Sequence, residues 1–343
     1  MQGQGRLKIT WKFVTAAVIY VAYAVYLFEP YFHTFNRWQY LWPVNVCIAS
    51  IGCYILSRRW VAEFAGSFFA GAIYGFGPYM LGLAHFHPFT GTLVAAVPWF
   101  FFPAAFGLQG KWQRLNVIFT AIPFIMIILF FQATTAIHLF VASTQAKLRL
   151  RELYSLIAPL VAAKHGTVLI GFYHVPIAAL VMGTAMLIKA RRYSIMMIIL
   201  VGIALVFCDS LNSRLAISPI FWLAIPTLCF SIIIGAGFQG LATSGFADRK
   251  WILANAIVLG SLTIVTLLLA TKYFQIFLSL GDGYAKLFIE AAKMYLLGAI
   301  VLAICFFMTL AKARLHPIRE IIISITLALD IFISAQYIID KLF

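Results

Sequence analysis

The chain has 343 residues, of which 64% are hydrophobic and only 10% are charged, whereas a soluble domain usually has about 25% charged residues. So few charges could not solvate the surface of a soluble fold of this length, but a helix that faces lipid can be apolar on all sides. The net charge of +15 does not indicate nucleic-acid binding, because the basic residues punctuate apolar runs and form no basic domain.

Apolar stretches long enough to cross a bilayer recur along the whole sequence, without the alternating polarity of barrel strands. We therefore predict an all-α, polytopic transmembrane helix bundle of about eleven spans (ten to twelve), forming one integral membrane domain over residues 1–343. The predicted spans are 11–28, 42–57, 61–80, 89–108, 116–143, 167–188, 193–209, 217–241, 251–271, 290–311 and 320–339.

The distribution of lysine and arginine predicts the orientation, because short cytoplasmic loops are enriched in these residues. With the N-terminus inside, 15 of the 25 basic residues fall in inside loops. We therefore predict a cytoplasmic N-terminus, an outer C-terminus and a multi-pass protein of the bacterial cytoplasmic (inner) membrane.

Three segments on the predicted outer side, 29–41, 144–166 and 272–289, are longer than simple turns. The second and third combine apolar, aromatic and basic residues in the manner of interfacial amphipathic helices. Such helices either seal the outer face of the bundle or take part in function, and the sequence leaves both alternatives open.

Two acids stand out. Asp330 falls in the middle of the last predicted span and has no local partner, so it must face the bundle or a watery cavity, as a proton relay or as a neutral acid bonded to a neighbouring helix. Glu29 ends the first span, with His33 and Arg37 just beyond it. It is either a base or metal ligand, or a solvated acid at a helix end.

Two pairs of histidines are candidate ligands. His85 and His87 lie two apart in the segment AHFHP; in a loop both could bind a substrate or a divalent metal, although two ligands do not make a zinc site. His138 and His174 lie at matching predicted depth on adjacent spans, as a bis-histidine haem requires. Matching depth arises easily by chance, so we do not expect haem.

Residues 45–108 carry a family resemblance. One span ends in YILSRR, a span rich in small residues reads AGSFFAGAIYGFGPYMLG, and AHFHP precedes a span with two prolines. A weaker likeness covers 200–245, with the segments DSLNS and IGAGFQG. Together these stretches, about a third of the chain, resemble the polytopic bacterial GT-C-class glycosyltransferases and their uncharacterised relatives.

The resemblance implies transfer of a sugar from a polyprenyl phosphate donor at the outer face of the membrane. The family places an essential acid in the first outer loop, and Glu29 occupies the comparable place here; an inverting transfer needs one such base near the acceptor. A basic patch would hold the lipid phosphate. Its candidate residues are Lys147, Arg149, Arg151 and Lys164.

Three functions are compatible with these residues. The first is a lipid-linked sugar transferase, and the second is a non-catalytic subunit of a larger membrane complex, which the scarcity of acids favours. The third is a proton-coupled transporter with Asp330 as its coupling group. Many transporters have internal repeats with paired broken helices, and the Gly-Pro break at 77–78 has no evident counterpart in the second half of the sequence. We therefore expect a transferase or a subunit before a transporter.

Overall fold

The computed structural model describes residues 2–35, 39–86, 88–107, 115–136, 155–161, 169–191, 193–215, 217–244, 248–271, 284–310 and 316–342, and this part of the chain is helical and contains no strand. The helices are α1 (Gln2–Phe28), α2 (Leu41–Ser57), α3 (Phe64–Gly75), α4 (Pro78–Phe86), α5 (Pro88–Phe100), α6 (Phe102–Phe106), α7 (Leu115–Ala136), α8 (Pro176–Lys189), α9 (Tyr193–Phe207), α10 (Asp209–Leu215), α11 (Pro219–Trp222), α12 (Ala224–Thr243), α13 (Arg249–Leu269), α14 (Ala285–Leu310) and α15 (His316–Leu342). A 3-10 helix, Glu29–Thr34, extends α1.

Among the described residues, five helical stretches are long and apolar enough to cross a membrane. They are Trp11–Thr34, Pro219–Thr243, Arg249–Leu269, Ala285–Thr309 and His316–Leu342. Helices α9 and α10 would form a sixth span, bent by 77°, and shorter apolar helices of 10–17 residues accompany them. The prediction of a helical, multi-pass integral membrane protein is confirmed. The count of eleven spans and the orientation stay predictions.

Several of the predicted spans are not single continuous helices. The break expected at 75–78 is confirmed, since α3 ends at Gly75 and α4 begins at Pro78. Proline has no N–H to continue the ladder of hydrogen bonds. The span predicted over 167–188 is helical only from Pro176, and the described residues before it, 169–175, are not helical although most of them are buried.

Helix α12 lies at the centre of the bundle and packs closely on its neighbours through glycines. A Cβ added to Gly66 of α3 would lie 2.6 Å from the carbonyl oxygen of Gly235. On the other side of α12, a Cβ on Gly237 would collide with the carbonyl of Ala179 in α8. These contacts bring backbones together, as the spacing of small residues in the third predicted span indicates.

Three hydrogen bonds tie together one end of the bundle. The Arg319 guanidinium donates to the Ser244 carbonyl oxygen at 2.6 Å, and that of Arg58 donates to the Ala62 carbonyl oxygen at 2.6 Å. The Ala62 N–H in turn donates to the Gln239 side-chain oxygen at 3.2 Å. We call this end, which carries the loop 58–63, Ser244 and Arg319, the basic end; the loop charges predict that it is cytoplasmic.

The described part of the predicted interfacial segment 144–166 is residues 155–161. Ala158 and Val161 are fully buried and pack against Phe288 and Ala291 of α14. The Tyr295 hydroxyl of α14 donates to the Ile157 carbonyl oxygen at 2.8 Å. These residues therefore pack into the bundle. The rest of 144–166, and residues 272–283 of the third outer segment, lie outside the described residues.

Candidate functional site at His174 and Asp330

Asp330 lies near the middle of the 27-residue helix α15. Buried residues recur along one face of this helix at a spacing of three or four, including Leu327, Asp330 and Ser334. That periodicity is what turns one helical face towards the core of the bundle. The Asp330 side chain is fully buried, so its carboxyl group must be satisfied by protein groups.

Three groups contact the Asp330 carboxyl. The Val175 backbone N–H donates to Oδ2 at 2.6 Å, and the Ser334 hydroxyl donates to Oδ1 at 3.2 Å. His174 Nδ1 lies 3.0 Å from Oδ1. Val175 is the N-cap residue of α8, so the carboxyl group also lies at the positive end of a helix dipole. The Val175 N–H and the Ser334 hydroxyl donate to this carboxyl group, and Nδ1 is a third donor when it carries a proton.

His174 is fully buried in the non-helical segment before α8. When Nδ1 carries a proton, it donates to Asp330, and Nε2 then holds a lone pair. Within the described residues, Nε2 has no hydrogen-bond partner. The Tyr295 ring stands edge-on to the imidazole, with the ring centroids 4.9 Å apart and the planes at 88°. The imidazole is therefore oriented on one side and has an unused nitrogen on the other.

The site also touches the break between α3 and α4. The hydroxyl of Tyr173, the neighbour of His174, donates to the Phe76 carbonyl oxygen at 2.5 Å. Because α3 ends at Gly75, this carbonyl belongs to the interruption. The Tyr23 ring packs against Phe76, with centroids 4.6 Å apart. The break between α3 and α4 thus lies close to the His174–Asp330 pair and to the non-helical segment before α8.

Of the other sequence-based candidates, Glu29 has no contact with this pair, and most of the rest lie outside the described residues. Glu29 is exposed at the first turn of the 3-10 helix after α1, and no hydrogen bond or ion pair joins its carboxyl group to another described residue. His85 belongs to helix α4 and so is not in a loop, while His87 lies outside the described residues. Also outside them are His138, Lys147, Arg149, Arg151 and Lys164.

The sequence does not reveal that Asp330 and His174 form a pair. They are 156 residues apart in the chain, and the role that the sequence suggests for His174 is that of a haem ligand with His138. The structure gives its Nδ1 a carboxyl partner. One signal in the sequence could have joined the two residues, because a mid-span acid without a local partner requires a polar group on another element.

Among the described residues, no group of three or more His, Cys, Asp and Glu side chains is placed to hold a metal ion. Comparison with known proteins found no match to any family model, any curated protein or any solved structure.

Proposed function

We propose that the protein is a proton-coupled membrane transporter in which His174 and Asp330 form the protonation site. The observation that carries the proposal is the fully buried imidazole–carboxyl pair, with 3.0 Å between Nδ1 and Oδ1, beside the break between α3 and α4 and the start of α8.

The cost of burial supports a functional role for the pair. Ionisable groups inside a membrane bundle are expensive, and those that occur there commonly mark proton or substrate pathways. Apolar residues of similar volume often stabilise a fold as well as a buried ion pair does, so stability alone does not explain the pair. Histidine is the side chain whose charge most readily changes near neutral pH.

The pair has the groups needed to take up and release a proton. A proton added at His174 Nε2 gives an imidazolium whose Nδ1–H still donates to Asp330, so the new positive charge is paired at once. Loss of the same proton restores the neutral ring. The break between α3 and α4 suits such a site, because backbone groups at a break can bind solutes and because the flanking segments can move as units.

The proposal is tested in liposomes that contain the purified protein and a trapped pH-sensitive dye. We expect proton flux when a pH gradient is imposed in the presence of a panel of sugars, amino acids and monovalent cations. Asp330→Asn and His174→Gln should abolish that flux. Glu290→Gln is the matched control, because Glu290 is exposed and pairs only locally with Lys293 at 2.7 Å. Flux that survives in both site variants would contradict the proposal.

Sugar transfer from a polyprenyl phosphate is a second proposal, supported by the exposure of Glu29 beyond the end of α1. A base for an incoming acceptor needs such access. Glu29→Gln should abolish transfer of a radiolabelled sugar from a polyprenyl phosphate donor in membranes, while the variant folds normally. Unchanged transfer would remove Glu29 from the mechanism. Purification with fixed partner proteins would instead support a role as a subunit.

A further inference from the structure

A cavity of about 500 Å³ lies towards the basic end of the bundle, within the range of about 300–1,000 Å³ that is usual for small-molecule sites. Its walls come from the end of α2 and from α6, α8, α9 and α12. Along α12 the wall extends from Leu228 to Ala236, which is about 12 Å of helix at a rise of 1.5 Å per residue. The cavity is therefore deep enough to take a length of hydrocarbon chain.

The cavity has a mostly apolar lining, and it opens on the side of the helix bundle. Trp60, Met186 and Ile198 line the cavity, yet they are 43%, 41% and 40% exposed. Large exposed apolar side chains on a membrane bundle are expected where it faces lipid tails. The mouth therefore opens towards the bilayer, and lipid tails are the apolar molecules at highest concentration there.

The mouth carries positive charge. Of the described residues that line the cavity, Arg59 is the charged one, and its guanidinium has no hydrogen-bond or ion-pair partner within the described part of the chain. The neighbouring Arg58, by contrast, donates to the Ala62 carbonyl oxygen. Lys189 and Arg191 are exposed on either side of Ala190, which also lines the cavity. Guanidinium and ammonium groups at the mouth of the cavity can bind the phosphate of a lipid headgroup.

We propose that this cavity holds one acyl chain of an anionic phospholipid from the leaflet at the basic end. Its phosphate lies at Arg59, assisted by Lys189 and Arg191, and its tail lies between α8 and α12. The site involves neither His174 nor Asp330. It therefore goes beyond the proposed transport function and can be tested independently of it.

The test is native mass spectrometry of the full-length protein after equilibration with equal amounts of phosphatidylglycerol and phosphatidylcholine. We expect the wild type to retain one phosphatidylglycerol. Arg59→Gln should lower that retention roughly tenfold, since it removes a charge-assisted pair, and should abolish the preference for the anionic lipid. Ala236→Phe should fill the cavity and reduce retention of both lipids. The control Lys250→Gln removes an exposed charge from α13, outside the lining, and should retain lipid as the wild type does.

If Ala236→Phe does not fold, Ala104→Phe fills the cavity from the opposite wall. The proposal is overturned if the wild type retains no lipid or holds phosphatidylcholine as tightly as phosphatidylglycerol. It is also overturned if Arg59→Gln and the cavity-filling variant both retain lipid as the wild type does. Retention of a polyprenyl phosphate in place of the phospholipid would likewise overturn it.

Discussion

The Tyr173 hydroxyl donates a hydrogen bond of 2.5 Å to the carbonyl oxygen of Phe76. This bond joins the break between α3 and α4 to the non-helical segment before α8, because Phe76 follows the end of α3 and Tyr173 precedes Pro176. Helix interruptions leave backbone carbonyls without a partner from the same helix. Tyr173 therefore satisfies a group that the break releases, and it does so one residue away from His174.

The Tyr173–Phe76 bond should contribute measurably to stability. Tyr173→Phe keeps the ring and leaves a buried carbonyl without its donor, so the free energy of unfolding should fall by about 1–3 kcal/mol. The measurement is unfolding in detergent, followed by tryptophan fluorescence. As a control, Tyr26→Phe removes a hydroxyl from a ring that is 53% exposed and should change the free energy of unfolding by less than about 0.5 kcal/mol. Equal effects of the two substitutions would contradict this account.

The His174–Asp330 pair should show strong coupling in a double-mutant cycle. Asp330→Leu leaves His174 and the Val175 N–H without their acceptor, and removing one partner of a buried pair typically costs about 3–5 kcal/mol. The double variant His174→Leu/Asp330→Leu should recover part of that loss, because two apolar groups can replace such a pair. The measurement is the unfolding free energy of all four proteins. Additive losses would show that the two side chains do not interact.

The recovered double variant also separates stability from function. If the pair is the protonation site, this variant should fold and yet conduct no protons in the liposome assay. A double variant that folds and retains full proton flux would refute the role proposed for the pair.

Glycine-to-alanine substitution should have opposite effects at Gly66, which lies against the backbone of α12, and at Gly260, which has no close neighbour. Gly66→Ala would place a Cβ 2.6 Å from the Gly235 carbonyl oxygen, so the helices must separate, at a cost of about 1–3 kcal/mol in unfolding free energy. Gly260 of α13 has nothing within 4 Å of its added Cβ. Gly260→Ala should therefore stabilise the protein by about 0.5–1 kcal/mol, through helix propensity alone. Thermal unfolding of both variants tests the prediction, and the same sign for both would contradict it.

Arg191 follows the end of α8 with a positive φ of 52°. A non-glycine residue in the left-handed region costs about 1–2 kcal/mol, and glycine is the usual residue at this position after a helix. Arg191→Gly should therefore raise the unfolding free energy in detergent without phospholipid by about 1 kcal/mol. Lys189→Gly, inside the last turn of α8, should lower it by about the same amount.

The break at 75–78 could be predicted, because Pro78 cannot donate the backbone hydrogen bond that continues α3. The start of α8 carries the same signal, because Pro176 is its first residue, yet the predicted span 167–188 continues through it. Residues 169–175 form an apolar run, and what the sequence does not show is that two of them contact Ser155. Ile170 donates to the Ser155 hydroxyl at 3.3 Å, and Gly171 packs on the Ser155 backbone.

The sequence by itself determined that the protein is a helical, multi-pass membrane protein, since apolar runs of span length and scarce charges follow from the cost of placing backbone and charge in lipid. It also determined that Asp330 needs partners inside the bundle. Only the tertiary structure decided which residues those partners are. His174, Val175 and Ser334 surround the carboxyl because α15 and the start of α8 pack together. Hydrophobicity specifies that a helix inserts in the membrane, but which faces meet depends on close side-chain and backbone fit between segments distant in the chain.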